Sequence, residues 1–308
     1  MNTPMLRRLT LSAYLTIAAL GAMLFLAFGP AFAATRYGYT WSLLIWLAPN
    51  LAMLWWFLAS EEYQIHHKRA FFWATLYLLL NGVILDFFFA HQFFTFPNRE
   101  AVLGIYLPGL SLSEFRVIWE KPFPVEEIFF YFFGFVCILL VYIWGDEYWF
   151  AQYQTPNRDV AVKSVLRVLG FHGRAFLLAI AAILLSIAIK AALNPSGYLF
   201  PAYLALQILM AFMPAVFLLR AVASFVNWRA FSFTLVATLL ISIIYEVTLG
   251  VAAQWWGYQR EPMLGIFISA WHGLPLEAVT LWFAAVFMTV LVFEAIKLHL
   301  TKRAANRE

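Results

Sequence analysis

Five acidic residues lie within or at the start of long apolar stretches, where ionisable groups are costly: Asp86, Glu126, Glu127, Glu246 and Glu277. Asp86 lies in the apolar stretch 82–94, and Glu246 lies in the stretch 235–253. An acid at such a position costs about 2.5–3.5 kcal/mol to place in a bilayer and is a functional hypothesis by default. Neither stretch contains a lysine or arginine, so desolvation should keep both acids protonated near neutral pH. We therefore interpret Asp86 and Glu246 as candidate proton donors.

The other three acids lie at predicted helix N-termini. Pro124 and Pro275 each come two residues before a glutamate, and proline suits the first turn of a helix. The partial positive charge of a helix N-terminus favours the carboxylate form of Glu126, Glu127 and Glu277. One set of acids is thus suited to donate a proton and the other to stay anionic. Carboxyl groups in such contrasting environments are typical of acid–base chemistry.

Aromatic residues at helical spacing from the acids are predicted to line a substrate cavity: Phe89, Phe129, Phe130, Phe133 and Trp282. Simpler interpretations apply to other polar residues nearby. His91 and His272 are close to the acids in sequence, but a structural hydrogen bond is the expected role for each. Carboxyl groups at the end of a span, such as Glu127 or Glu294, can also be interfacial caps. That interpretation fits Asp86 and Glu246 poorly, because they lie in mid-span.

Several landmarks recur along the chain at a slowly drifting offset. Pro49 and Pro214 are 165 residues apart, the mid-span acids 160, two Leu-Gly-Ile segments (103–105 and 264–266) 161, and the Pro-x-Glu segments 151. A drifting offset is typical of an old duplication. The predicted organisation is a first four-helix repeat at 1–150, a cytoplasmic connector at 151–173 and a second four-helix repeat at 174–308.

The composition indicates an integral membrane protein. The chain is 64% hydrophobic and 12% charged, with a mean hydropathy of +0.80. The lipid bilayer is thus an expected partner and nucleic acid is not. A single cysteine, Cys137, leaves no disulfide and no cysteine-ligated metal site, and we expect neither metal nor cofactor.

Apolar runs long enough to cross a bilayer predict an all-α, polytopic protein with about eight spans: 9–34, 40–59, 70–94, 123–144, 175–193, 198–219, 230–255 and 274–297. Ala31-Phe-Ala33 resembles a signal-peptidase site, but the duplication needs the first run as a span, so we expect it to be retained. A short interfacial helix is predicted at 160–169. Fourteen lysines and arginines fall on the side of the termini and six on the other side. This bias predicts an inner (cytoplasmic) membrane protein with cytoplasmic termini and parallel repeats.

The residues suit protonation of an isoprenoid C=C bond. Protonation gives a tertiary carbocation, which aromatic faces stabilise through cation–π attraction. A neighbouring alkene then attacks, a ring closes and a carboxylate removes a proton. The sequence therefore predicts a lipophilic polyene or polyprenyl substrate and acid–base cyclisation without a redox cofactor.

The Pro-x-Glu-Glu threshold before a phenylalanine-rich helix, the mid-span acid one helix earlier and the tandem duplication resemble the integral-membrane lycopene cyclases of the small-subunit or fused, flavin-independent type. The resemblance implies a role in carotenoid biosynthesis, with Glu126 and Glu127 as the family's paired glutamates and Glu277 as the first glutamate of the repeat. Ala278 departs from the pattern where a second glutamate is expected. Membrane terpene cyclases for shorter chains and carotenoid hydratases share the resemblance and are alternatives.

Other classes of function make different demands. A polyprenyl transferase would need aspartate-rich motifs for magnesium diphosphate, and no Asp-x-x-x-Asp lies in a predicted span. A proton-coupled transporter of a hydrophobic solute would explain repeated halves, interior prolines and embedded acids. The sequence leaves open which acid is the donor, the chain length and ring type of the substrate, whether one or two ends cyclise, and whether the protein forms a homo-oligomer.

Overall fold

The computed structural model describes residues 34–59, 65–111, 115–153, 173–194 and 197–305, together with Ala31. Seven helices in these ranges are long and apolar enough to cross a membrane: α1 (Gly38–Ala59), α2 (His67–Phe93), α3 (Glu126–Trp149), α4 (Gly173–Leu193), α5 (Ala202–Val222), α6 (Trp228–Gly250) and α7 (Leu276–Thr301). Helical structure also precedes α2 from Ile65 and continues after α7 to Ala305. Each corresponds to one of the predicted spans, which confirms a polytopic, mostly helical protein. The predicted span at 9–34 and the helix at 160–169 lie outside the described residues.

Four helices contain a π-helical turn, at Asp86–Ala90, Gly145–Trp149, Ile208–Phe212 and Glu246–Gly250. In such a turn the backbone bonds skip one residue further, as where the N–H of Val251 donates to the carbonyl of Glu246 at 2.9 Å. π turns are rare and are found frequently at functional sites. Two of the four begin at the mid-span acids.

Short strands connect the helices on one side. Strand β1 is Phe94–Thr95, β2 Tyr106–Ser111, β3 Arg116–Pro124, β4 Gly257–Tyr258, β5 Phe267–Ile268 and β6 Leu274–Pro275. The pairs β2–β3 and β5–β6 are antiparallel and lead into α3 and α7 respectively. The expectation that Pro124 occupies the first turn of a helix is wrong, because this proline ends β3 and α3 begins at Glu126. The two glutamates do lie in the first turn of α3, as predicted.

The segments after α2 and α6 pair with each other. Phe94 is opposite Tyr258 and Thr95 opposite Gly257 in the antiparallel pair β1–β4. The N–H of Asn98 also donates to the carbonyl of Gln254 at 3.0 Å. The two loops that carry the mid-span acids into their connections are therefore joined directly.

Helices α3 and α7 form the centre of the bundle. Helix α3 packs against α1, α2 and α6, and α7 packs against α2, α5 and α6. Their inward residues, including Leu139, Leu140, Val290 and Leu291, are fully buried. Apolar side chains such as Trp55 and Leu178 are exposed on the outer helices, as expected of a surface in contact with lipid.

Candidate functional site

The paired glutamates are anchored at the start of α3. Glu126 Oε1 accepts hydrogen bonds from the N–H of Leu103 (2.7 Å) and from Thr40 Oγ1 (2.6 Å). Glu127 Oε1 accepts one from the hydroxyl of Tyr39 (2.8 Å). Both glutamates are buried. A bend after β1 and the first turn of α1 thus fix the orientation of both carboxyl groups.

The second half repeats this anchor through the second Leu-Gly-Ile segment. The N–H of Leu264 donates to Oε1 of Glu277, as that of Leu103 does to Glu126. The glycine of each segment has a left-handed backbone, with φ of 83° at Gly104 and 102° at Gly265, a conformation that glycine adopts at little cost. The Leu-Gly-Ile motif, which served only as a landmark in the sequence, is therefore a loop that presents an N–H group to a buried glutamate.

The isoleucine of each segment makes a second matching contact. The carbonyl of Ile105 accepts a hydrogen bond from the N–H of Val125, and that of Ile266 from the N–H of Leu276, both at 3.0 Å. Val125 and Leu276 each come directly before the anchored glutamate. Loop and helix start are thus clamped together in the same way in the two halves.

Asp86 is buried in α2 at the start of a π turn, with one carboxyl oxygen bound and one not. The hydroxyl of Tyr131 donates to Oδ1 at 3.1 Å. Oδ2 is buried and has no hydrogen-bond partner among the described residues. An unsatisfied buried oxygen of this kind calls for an explanation such as a catalytic role.

Glu246 occupies the corresponding position in α6, but both of its oxygens are bound. Trp282 Nε1 donates to Oε1 and the hydroxyl of Tyr258 donates to Oε2, each at 2.7 Å. Burial, reinforced by the neighbouring Glu246, raises the pKa of Tyr258 well above its usual value, so this hydroxyl keeps its proton and remains a donor. Tyr131 and Trp282 are 151 residues apart, the same separation as Glu126 and Glu277. Equivalent positions thus serve the mid-span acid in each half.

Two apolar cavities flank α3 and α7 inside the bundle. The first has a volume of about 130 Å³, and Asp86, Phe89, Tyr131 and Tyr203 are among the residues that line it. The second has a volume of about 290 Å³ and is lined by residues that include Trp46, Asn50, Cys137 and Tyr245. Four residues line both cavities: Phe130, Gly134, Ile138 and Trp282.

The structure brings most of the predicted site residues together. Asp86 and Phe89 line the first cavity, Phe133 lines the second, and Phe130 and Trp282 line both. Phe129 does not join them: its side chain is 46% exposed, stacks on Phe133 and lines neither cavity.

The four glutamates lie behind the cavity walls and do not line either cavity. Glu127 is nonetheless close enough to Asp86, Glu126 and Glu246 to interact with them electrostatically. Glu277 lies further from this group and is held by its own loop. The acids of the two halves therefore form one region of the bundle, with Asp86 as its member on the cavity surface.

The hydroxyl donors of the site were missed by sequence reasoning. Tyr39, Tyr131 and Tyr258 each donate to a different buried acid. A signal was available for Tyr131, because it stands at the repeat offset from Trp282. The other two come from α1 and β4, and their proximity follows only from the folded chain.

The structure also places the residues for which simpler interpretations were weighed. Glu294 is buried and accepts hydrogen bonds from Tyr142 (3.0 Å) and Lys297 (2.5 Å), far along α7 from Glu277. His91 and His272 line neither cavity. Within the described ranges, no cluster of three or more histidine, cysteine or acidic residues could hold a metal ion.

Comparison of the chain with protein-family models, with curated proteins and with solved structures gives no match. Its function must therefore be argued from the site itself.

Proposed function

We propose that this protein is a membrane-embedded cyclase of isoprenoid or carotenoid substrates, acting on a lycopene-like polyene end group. The observation that carries the proposal is the position of Asp86. Its carboxyl group is buried, has one unbound oxygen, and lines an apolar cavity with Phe89, Phe130 and Trp282. An acid in this setting is suited to donate a proton to a hydrocarbon that enters the cavity.

The reaction begins with transfer of the carboxyl proton of Asp86 to the terminal C=C bond of the polyene. The resulting tertiary carbocation faces the rings of Phe89, Phe130 and Trp282, whose electron-rich faces attract cations. A neighbouring C=C bond attacks the cation, and a new C–C bond closes the ring. The carboxylate of Asp86 then removes a proton from a carbon next to the new cation. Proton gain and loss balance, so no oxidant or reductant is needed.

The remaining acids support this step without touching the substrate. Glu126 and Glu277 hold the Leu-Gly-Ile loops, and the negative potential of Glu127 stabilises the cation and the protonated form of Asp86. Tyr131 orients Asp86 so that Oδ2 faces the cavity. The resemblance to membrane lycopene cyclases gives Glu126 and Glu127 the leading role, whereas the geometry favours Asp86.

The matching contacts of the two halves support a tandem duplication with parallel repeats. The pairing of β1 with β4 supports it further, because it joins equivalent loops on the same side of the bundle. With both termini cytoplasmic in the inner membrane, these loops face outward. A reporter enzyme fused after Arg260 should then be active only outside the cytoplasm, and cytoplasmic activity of the fusion would overturn the proposed orientation.

A hydratase would use the same proton transfer but capture the cation with water, and a shorter-chain terpene cyclase would differ only in substrate. A proton-coupled transporter of a hydrophobic solute is the alternative from another class, favoured by the repeated embedded acids. It predicts movement of the solute across vesicle membranes with no chemical change.

Expression in a lycopene-accumulating bacterial strain tests the proposal. Extracts from cells with the wild-type protein should contain a monocyclic or bicyclic carotene on chromatography, and Asp86→Asn should leave lycopene unchanged. The substitution keeps the size of the side chain and removes its acidic proton. Immunoblots of the membrane fraction provide the control for expression. Unchanged lycopene with well-expressed wild-type protein would exclude lycopene as the substrate, and a hydroxylated product would identify a hydratase.

A further inference from the structure

We propose that the two cavities are a single elongated binding site for a long-chain polyisoprenoid, with the reacting end at Asp86 and the unreactive remainder in the second cavity beyond Gly134. Only the identity of the reacting end rests on the proposed function. The binding mode itself is argued from the shape and the lining of the cavities.

The junction between the cavities is open at Gly134. This residue lies in α3 and lines both cavities. A Cβ atom built on Gly134 would have no heavy atom within 4 Å, apart from its own helix backbone and its chain neighbours. By contrast, a Cβ on Gly82, which also lines the first cavity, would lie 2.9 Å from the ring of Tyr131. Glycine at 134 is therefore not required by packing, and the space in front of it connects the cavities.

The volumes argue that neither reaction nor binding is confined to the first cavity. At about 130 Å³ it falls below the range of about 300–1,000 Å³ that is usual for sites of drug-sized ligands. The second cavity, at about 290 Å³, is more than twice as large. Together the two reach the usual range. The first is thus suited to a chain end, and a longer ligand must extend past Gly134.

The lining of the cavities assigns a different task to each. The first contains Asp86, whereas the second has no acidic residue among the residues that line it. Tyr245, its most prominent polar residue, shares a 2.6 Å hydrogen bond with Ser42. Glu246 follows Tyr245 in sequence, but its oxygens are both taken by Trp282 and Tyr258. The second cavity can therefore hold an apolar chain but lacks a group to protonate it.

Two consequences follow for the substrate. The ligand is a slender apolar chain considerably longer than one end group, because it must occupy both cavities. One end reacts in each binding event, so a symmetrical polyene accumulates first as the product with a single ring. A second ring requires release and rebinding of the chain in the opposite direction.

Cys137 provides a direct probe, because it lines the second cavity and is the only cysteine in the chain. Purified protein in nanodiscs is treated with N-ethylmaleimide with and without lycopene. Lycopene should slow the labelling of wild type and of Gly134→Ala at least tenfold. Gly134→Leu should abolish this protection, because its larger side chain fills the junction. Quenching of tryptophan fluorescence by the polyene in the same samples should show at least a tenfold weaker midpoint for Gly134→Leu alone, and it decides the matter if the thiol is slow to react.

The outcomes separate this inference from the proposed function. Protection of Cys137 without any cyclic product would support the elongated site and refute the cyclase. Cyclic product with unchanged labelling and unchanged quenching in Gly134→Leu would refute the elongated site alone. If Gly134→Leu elutes as an aggregate, Ala237→Phe narrows the second cavity from α6 and is judged by the same two readouts.

Discussion

The two halves of the bundle hold their acids in one framework but leave them in different states. Asp86 and Glu246 both begin a π turn and both accept a hydrogen bond from the equivalent position of the following central helix. Tyr258 completes the shell of Glu246, whereas Oδ2 of Asp86 has no partner in the described part of the chain. The comparison teaches that the framework is structural and common, while the reactive oxygen belongs to the first half.

A second contrast concerns the residue after the anchored glutamate. In the first half this residue is Glu127, which binds Tyr39, and in the second half it is the buried Ala278. Tyr203, which matches Tyr39 near the start of α5, is not bonded to a carboxylate. The π turn at Ile208–Phe212 adds one residue to α5, which accounts for the separation of 164 residues between the tyrosines and 165 between the interior prolines. Acid and acid-binding contact are thus absent from the second half together.

The largest expected effect separates the two mid-span acids. Asp86→Asn should reduce cyclic product at least about 100-fold, since general acid catalysis contributes about 10²–10⁴-fold. Glu246→Gln retains an acceptor for Trp282 and should cost about tenfold or less, as the loss of one charge-assisted hydrogen bond would. Product formed per unit of membrane protein measures both. A larger loss for Glu246→Gln would reverse the roles assigned here.

The next effect should be equal in the two halves. Gly104→Ala and Gly265→Ala force a side chain into a left-handed backbone, which destabilises a protein by more than about 1 kcal/mol. Both variants should lower the thermal unfolding midpoint in detergent by similar amounts, because each loop anchors a buried glutamate. Gly134→Ala, at a position with ordinary helical structure, is the control and should not lower it. A large difference between Gly104→Ala and Gly265→Ala would mean that the two anchors are not equivalent.

The smallest effect sharpens the contrast at residues 127 and 278. Tyr39→Phe removes the hydrogen bond to Glu127 and should cost about 1.5–3 kcal/mol, the range for bonds to charged groups. Tyr203→Phe removes a hydroxyl without a carboxylate partner and should cost less. The two thermal midpoints, measured side by side, check the order. Equal midpoints would show that Tyr39 and Glu127 contribute nothing beyond packing.

The spans and the buried acids could be predicted because hydrophobic length and repeat offset are properties of the sequence itself. The partners of the acids could not be predicted in the same way. Whether Tyr131 or Tyr258 reaches an acid depends on helix rotation and on the β1–β4 pairing, which joins residues more than 160 positions apart. Phe129 illustrates the same limit: its spacing from Glu126 is right for the site, but the rotation of α3 turns it outward.

The most direct test of the central claim is to follow the proton itself. Lycopene is incubated with membranes that contain the protein in D₂O, and the cyclic product is analysed by mass spectrometry. Protonation of a C=C bond by an exchangeable acid such as Asp86 predicts one deuterium in the product for each ring formed, and none in residual lycopene. Asp86→Asn membranes should give neither ring nor label. A cyclic product without deuterium would contradict the account, because the ring would then have formed without a proton from an acid.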